Sequence, residues 1–339
     1  MKRLTLIFAA LTALILCSCE HKELCYSHPH SFKLRVDFDW RNAPEAFPKG
    51  MCVFFYPEDG GEPKRIDCTF SDGDIRTGGE VELMVGKYRV ITYNNDTEGV
   101  KFANYNTFDS YYCYTREGNI LEPIYGNGAN YAPRAAGTEE ERVVITPDMM
   151  WGCAVTELEV KTDGVRYCCI PDESRAEEYV TSEQQIILYP CEITCIYTYE
   201  VINVLNLKHA TDMCATISGM AGSHTFSTGE LGSEPVSLPL EAWKRDDTTI
   251  EGRFYTFGHN AETADPHKMA FYVIMDDGNK YVYKDLDKYD VTKQVHEAPN
   301  RRRVHILIDG LELPTPIGNG SGFSPSVDDW IDENVDIQL

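Results

Sequence analysis

Hydrophobic and polar residues alternate with period two along much of the chain. Lys33-Leu34-Arg35-Val36-Asp37-Phe38-Asp39-Trp40 does so without a break, so Leu34, Val36, Phe38 and Trp40 share one face and the charges share the other. Successive side chains of a strand point to opposite faces, and this pattern predicts a half-buried antiparallel strand. Residues 51–56 read as a second strand, stopped by Pro57 and the Asp59-Gly60-Gly61 turn. Two more pieces, 81–85 and 88–93, flank Gly86, and Asn94-Asn95-Asp96 ends the second. Further strands are predicted over 142–145, 154–160, 185–189, 194–204, 269–275, 280–283 and 304–308. Asp276-Asp277-Gly278-Asn279 joins two of these as a hairpin, with Asp-Gly suited to positive φ.

Helical periodicity is scarce. The best short candidate is 174–183, where Ser174 and Glu177 have capping-box spacing but no apolar stripe follows. Many short strands divided by turn signals predict an all-β chain of sandwich or barrel type, not a parallel α/β sheet. Residues 125–141, rich in Gly, Asn and Ala and closed by Glu139-Glu140-Glu141, read as a long surface loop. A domain boundary is therefore expected at 160–175, where Asp163-Gly164 and Pro171-Asp172 break the pattern. The expected units are 31–165 and 166–313, followed by an extended Gly/Ser/Pro tail over 314–339 with a short alternating strand at 335–339. No internal repeat is legible.

The start of the chain has its own chemistry. Lys2 and Arg3 precede a mostly apolar run from 4 to 16, too short for a membrane-spanning helix. Leu16-Cys17-Ser18-Cys19 then matches a lipobox, with an aliphatic residue at −3, a small one at −1 and cysteine at +1. The Cys19 thiol would accept diacylglycerol as a thioether, and cleavage would fall between Ser18 and Cys19. Residues 1–18 are thus read as a signal peptide and 19–30 as a post-lipid leader. The predicted location is the cell outer membrane, lipid-anchored and surface-exposed.

The charge agrees with a lipid tether. The whole chain carries a net −23; losing Lys2 and Arg3 leaves 29 basic against 54 acidic residues, or −25. Such a surface repels nucleic acid and anionic headgroups, so no nucleic-acid partner is expected and attachment falls to the acyl chains. The one basic run, Arg301-Arg302-Arg303, reads as a solvated loop tip. Of twelve cysteines, ten remain besides Cys17 and Cys19. Cys52 lies in an apolar strand, and Cys191 and Cys195 would stand about 13 Å apart on one strand, too far to bridge. Adjacent Cys168-Cys169 would bridge only with strain. Mostly free, buried thiols are the expectation.

Catalytic patterns fail one by one. Gly222-Ser223-His224 lacks the nucleophile elbow, and Asp285-x-Asp287-x-x-Asp290 lacks the glycine and the final acid of an EF-hand. No phosphate-binding glycine loop occurs. Cys25-x-x-His28-x-His30 reads as a flexible polar segment and not a metal site. The chain is read as a non-enzyme with no catalytic residues, metal or cofactor. Tyr105, Tyr111, Tyr112, Tyr114, Tyr125 and Tyr131 cluster among asparagines and glycines. They suit either amphipathic binding loops or half-buried strand edges.

Several phrases together carry a resemblance: the lipobox, Val36-Asp37-Phe38-Asp39-Trp40 with Ala43-Pro44, Phe55-Tyr56-Pro57, Gly86-Lys87-Tyr88-Arg89-Val90 running to Asn94-Asn95-Asp96-Thr97, Thr256-Phe257-Gly258-His259, Asp290-Val291-Thr292, and Leu313-Pro314 with Gly320-Ser321-Gly322-Phe323. In this order they resemble an uncharacterised lipoprotein family related to the fimbrillins of Gram-negative anaerobes. The resemblance implies two tandem transthyretin-like antiparallel β-sandwich domains on the outer membrane. It also implies fimbrial subunits or host and bacterial surface ligands as partners. In such systems an arginine-specific protease frees the leading strand of stalk subunits, and a partner's strand fills the groove.

The reading reached is a non-enzymatic surface lipoprotein, a fimbrillin-like adhesin or pilus anchor or accessory component. The alternative is a carbohydrate-binding lipoprotein of a polysaccharide-uptake system. That alternative calls for exposed tryptophan platforms, and only Trp40, Trp151, Trp243 and Trp330 exist. For strand addition, 335–339 is a candidate donor and 34–40 a candidate displaced strand, both expected to be edge strands. Arg35 lies within the leading strand and Arg41 just after it, making Arg41 the more accessible early cleavage site. Arg134 lies in the loop expected to be nicked first by trypsin.

Overall fold

Eight residues of unbroken alternation become the strand Ser31–Phe38, with Leu34, Val36 and Phe38 buried. A computed structural model of the protein describes residues 31–71, 73–128, 131–161, 164–169, 178–182, 185–315 and 330–332. The fold is all-β, and it is built from two pairs of packed sheets.

In the first sandwich a three-stranded sheet runs Thr77–Met84, Ser31–Phe38, Gln185–Leu188. It faces a larger sheet whose order is Lys64–Thr69, Gly50–Pro57, Gly86–Asn94, Trp151–Lys161, Gly164–Cys169, Glu178–Ser182, with Cys191–Glu192 also pairing Trp151–Lys161. Leu34, Val36, Phe38, Val53, Phe55, Val81, Val90, Leu158 and Leu188 fill the space between them. In the second sandwich the smaller sheet runs Trp243–Asp246, Thr249–Thr256, Cys195–Leu205, Arg303–Glu312. The larger runs Arg142–Val143, Pro235–Glu241, Ala210–Ala221, Met269–Met275, Lys280–Tyr283, Ile331–Asp332.

The two sandwiches repeat one topology. In each, the first strand is antiparallel to one later strand and parallel to another: Ser31–Phe38 with Thr77–Met84 and Gln185–Leu188, Cys195–Leu205 with Thr249–Thr256 and Arg303–Glu312. In each, four strands lie side by side in the larger sheet: Lys64–Thr69, Gly50–Pro57, Gly86–Asn94 and Trp151–Lys161 in the first, Pro235–Glu241, Ala210–Ala221, Met269–Met275 and Lys280–Tyr283 in the second. The repeat is structural; sequence alone did not reveal it.

The chain passes from one sandwich to the other at Ile193-Thr194, later than the expected boundary at 165/166. Gly164–Cys169, Glu178–Ser182, Gln185–Leu188 and Cys191–Glu192 all pair within the first sandwich. Trp151–Lys161, Gly164–Cys169 and Glu178–Ser182 pair in turn as antiparallel neighbours, so the break expected at 160–175 falls within one sheet. The helix expected over 174–183 is corrected too: Glu178–Ser182 is a strand hydrogen-bonded to Gly164–Cys169, and 174–177 lie outside the described residues. Capping-box spacing without an apolar stripe gives a helix no face to bury.

Residues 95–150 form an insertion between the fifth and sixth strands of the first sandwich, and they tie the two halves together. Val100–Ala103 pairs with Tyr112–Thr115, which pairs in turn with Ser223–Thr225 of the second half. Arg142–Val143 adds in parallel to Pro235–Glu241. Aromatic residues seal the joint: the Tyr93 ring stacks on Phe226 at 4.8 Å and on Phe102 at 4.5 Å. As a result both faces of each larger sheet are covered, one by its own sandwich and the other by the insertion. This explains the continuous burial of Gly50–Pro57 and Met269–Met275, where alternation is lost.

The loop expected at 125–141 is pinned, not free. Arg134 donates to the carbonyls of Glu139 and Glu141, both at 2.7 Å, and the Tyr272 hydroxyl donates to the Pro133 carbonyl at 2.8 Å. Arg301, Arg302 and Arg303 are exposed at the turn that leads into Arg303–Glu312. From that exposed turn Arg302 and Arg303 donate to Glu192, to its carbonyl and its carboxylate respectively, so the tip also clasps the junction.

Candidate functional site

The residues expected to matter most for assembly are those of the leading strand, and its seat can be built from the sequence upward. Leu34, Val36 and Phe38 point into the core at 1, 0 and 3 % exposure. Burying each is worth about 1.5–3 kcal/mol, so the strand is held by its side chains as well as its ladder. Both of its edges are paired. Ser31 to Leu34 lie opposite Met84 to Val81 on one side, and Arg35 to Phe38 lie opposite Gln185 to Leu188 on the other. The strand expected at a sheet edge is therefore central. The short run Gln185–Leu188, whose Ile186 and Leu188 are buried, supplies the second neighbour.

One bulge interrupts the antiparallel ladder, between Arg35 and Asp37. Gly78 makes it possible: a Cβ there would sit 2.2 Å from the Val36 carbonyl oxygen, so no side chain fits.

The arginines divide by position. Arg35 is paired through its backbone with Glu80 and Gln185, and its guanidinium meets Asp37 at 2.8 Å. Cleavage after Arg35 would require a strand to leave the middle of a sheet. Arg41 is exposed in the turn that follows. It meets Asp39 at 2.6 Å and lies 4.8 Å over the Tyr189 ring. That contact holds the Asp39 carboxyl below the usual carboxylate range, chiefly through the Arg41 hydrogen bond. Just ahead, Trp40 is buried and its indole N–H donates to the Ile75 carbonyl at 2.7 Å.

Along this face runs an open groove of about 920 Å³, lined by Arg35, Asp37, Asp39, Arg41, Asp74 and Arg76 among others. Its acids are engaged locally. Asp37 bonds Arg35, Asp39 bonds Arg41, and Asp74 accepts from the Arg76 N–H at 2.9 Å and the Thr77 hydroxyl at 2.8 Å.

At the other end of the molecule, Ile331–Asp332 lies parallel to Tyr281–Val282 and covers the edge of the second larger sheet. Trp330 packs edge-on against Tyr272 at 5.4 Å, and Asp332 meets Lys284 at 2.8 Å. The candidate donor strand 335–339 lies outside the described residues, as do Ser18, Cys19 and Cys25-x-x-His28-x-His30.

Other expected residues are also placed. Cys52, Cys68, Cys113, Cys195 and Cys214 are buried free thiols, Cys153 is half-buried, and Cys191 is a free thiol exposed on a two-residue strand. Burial pushes the Cys52 thiol up to about 12. The tyrosine cluster splits: Tyr111 is core, Tyr112 and Tyr114 are half-buried, and Tyr105, Tyr125 and Tyr131 are exposed. Sequence reasoning passed over His259, His267 and His296, whose rings meet pairwise at 5.0–5.3 Å. They lie 8 and 29 residues apart, so no local spacing marks them.

Comparison with known proteins adds the following. The family described as "Domain of unknown function (DUF5119)" matches residues 18–241. A curated protein of Bacteroides ovatus, named as a candidate fimbrium anchoring subunit, Fim4B, is 22 % identical over 259 residues, covering 76 % of this chain and 66 % of that protein. The chain thus spans just under two thirds of that relative's length. A crystal structure of a candidate adhesin from Bacteroides ovatus superposes with a TM-score of 0.55 at 19 % identity, covering 95 % of this chain and 99 % of that one, and it supports the fold. The fimbrial anchor protein Mfa2 from Porphyromonas gingivalis aligns with a TM-score of 0.44 at 14 % identity, over 84 % of this chain and 90 % of that one.

Proposed function

The chain belongs to the DUF5119 family, and we propose that it is a fimbrillin-like surface lipoprotein, an anchor or accessory component of a pilus that acts by binding and not by catalysis. Cys19 would carry the lipid after cleavage behind Ser18, tethering the sandwiches to the outer membrane. The observation that carries the reading is the seat of the leading strand. A stalk subunit has to surrender this strand, whereas here it is central, paired on both sides and buried through Leu34, Val36 and Phe38. A chain that keeps its first strand also keeps whatever lipid precedes it. This is the behaviour required of an anchor or accessory. Partners would be other fimbrial subunits, or ligands on host or bacterial surfaces.

The distribution of tryptophans supports this reading over a glycan-binding one. Trp40 and Trp151 are buried and Trp330 packs on Tyr272, leaving Trp243 as the exposed one among the described residues. The test is expression of the Cys19→Ala variant with radiolabelled palmitate. The wild type should incorporate label and reach the outer membrane, and the variant should remain an unlabelled, uncleaved precursor. Normal processing of the variant would refute the lipoprotein assignment.

A further inference from the structure

Three histidines from separate elements meet at one end of the second sandwich. His259 follows Thr249–Thr256, His267 precedes Met269–Met275, and His296 ends the short helix Thr292–His296. Their ring centroids are 5.3 Å (259 to 267), 5.0 Å (259 to 296) and 5.0 Å (267 to 296) apart. Zinc–nitrogen bonds of about 2.0–2.1 Å put a metal roughly 3.2 Å from each ring centre, so two rings at a tetrahedral angle stand about 5.2 Å apart. The observed triangle has that size.

The hydrogen bonds set the tautomers. The His267 Nδ1 faces the Ser218 carbonyl at 3.1 Å; a carbonyl only accepts, so Nδ1 carries the proton and Nε2 the lone pair. The Tyr197 hydroxyl donates to the Arg301 carbonyl at 3.3 Å and therefore accepts from His259 Nδ1 at 2.8 Å, which leaves the His259 Nε2 lone pair free. Both Nε2 atoms are buried with no partner among the described residues, and the two side chains are 6 and 0 % exposed. A buried polar atom without a partner is costly, and an outer nitrogen fixed by a carbonyl or hydroxyl is the usual support of a metal-ligating histidine.

We propose that His259 and His267, through Nε2, together with His296, bind one zinc-like transition-metal ion, with water as the fourth ligand. In the conformation described, no three donor groups are already set to hold a metal. The adjustment falls to His296, which is only half-buried and whose Nε2 is held by one long contact, 3.4 Å to the Asp265 carbonyl. Turning this ring exchanges the nitrogen it presents without moving the sheets. Asp265 and Asp290 lie close enough to act on the charge at His267 and would offset that of the cation.

The experiment uses the processed chain dialysed against chelator, titrated with Zn²⁺ by calorimetry and with Co²⁺ by visible absorption at pH 7.5. Expected are one equivalent bound with a Kd below about 10 µM, tetrahedral Co²⁺ bands, and a rise of several degrees in Tm with saturating Zn²⁺. His259→Gln or His267→Gln could unfold the chain, so His296→Ala is the informative variant. It should weaken binding at least about tenfold while leaving the circular dichroism and metal-free Tm unchanged. No uptake by the wild type, or equal uptake by the wild type and His296→Ala, would overturn the proposal. The second result would place the metal elsewhere, as at Cys25, His28 and His30.

Discussion

The side-chain amide of Gln294 satisfies both backbone groups of Leu307: its Oε1 accepts from the Leu307 N–H at 2.8 Å and its Nε2 donates to the Leu307 carbonyl at 2.9 Å. Leu307 lies on Arg303–Glu312, the edge strand of its sheet. The amide thus stands where a further strand would pair, and it blocks one pairing position on an edge ten residues long. Gln294→Ala should cost about 1–2 kcal/mol, the worth of two exposed hydrogen bonds, and should promote self-association. Light scattering across a concentration series reads the second effect. A variant that stays monomeric at every concentration would show that Gln294 does not guard this edge.

Gly78 tests the seat of the leading strand. Its missing Cβ would lie 2.2 Å from the Val36 carbonyl oxygen, a backbone atom that cannot move without breaking the ladder. Gly78→Ala should lower stability by about 2–4 kcal/mol in urea unfolding. It should also make Arg35 more susceptible to an arginine-specific protease, because cleavage there follows local opening. Unchanged stability and unchanged cleavage would mean the bulge tolerates a side chain.

Arg134 should resist trypsin, contrary to what its loop composition suggests. Its guanidinium is bound to two backbone carbonyls and to the Ser237 hydroxyl at 3.2 Å. Timed digestion with mass spectrometry should find early cuts elsewhere. Arg134→Ala should loosen 131–141 and raise hydrogen exchange there. Rapid cleavage after Arg134 in the wild type would show that the pinned loop opens readily.

These cases mark what the sequence could reveal. Alternation exposed Ser31–Phe38 and hydrophobic runs exposed Gly50–Pro57 and Met269–Met275, because apolar pattern reports burial directly. Ala210–Ala221 stayed hidden, since a strand covered on both faces by Ala, Met, Cys and Gly shows no period. Pro235–Glu241 was masked by its two prolines, which argue against a strand interior. The central place of the leading strand depends on Gln185–Leu188, about 150 residues later and only four long, and local pattern cannot supply such a pairing. The clasp of Arg302 and Arg303 on Glu192, like the histidine triangle, is a meeting of distant residues.

Acid should weaken the junction between the halves through His224. Burial pushes this imidazole down to about 4, and its Nδ1 has no partner among the described residues. The unfolded chain takes up a proton near the ordinary value of about 6.5, whereas the folded one resists until about pH 4. Stability from this group is therefore intact above about 6.5 and declines as pH falls toward 4, by about 3 kcal/mol at roughly 1.4 kcal/mol per unit. Urea midpoints at pH 7.5, 5.5 and 4.5 measure the slope, and His224→Phe should flatten it. An equal slope in the variant would remove His224 from the account.

The central claim is that the protein keeps its leading strand, and the amino terminus of material isolated from the cell surface tests it most directly. Mass spectrometry should find peptides that begin at an acylated Cys19 and run intact through Arg35 and Arg41. Surface material beginning at Val36 or Asn42 would mean that the strand is cut away in the cell, and would identify the protein as a polymerising stalk unit instead.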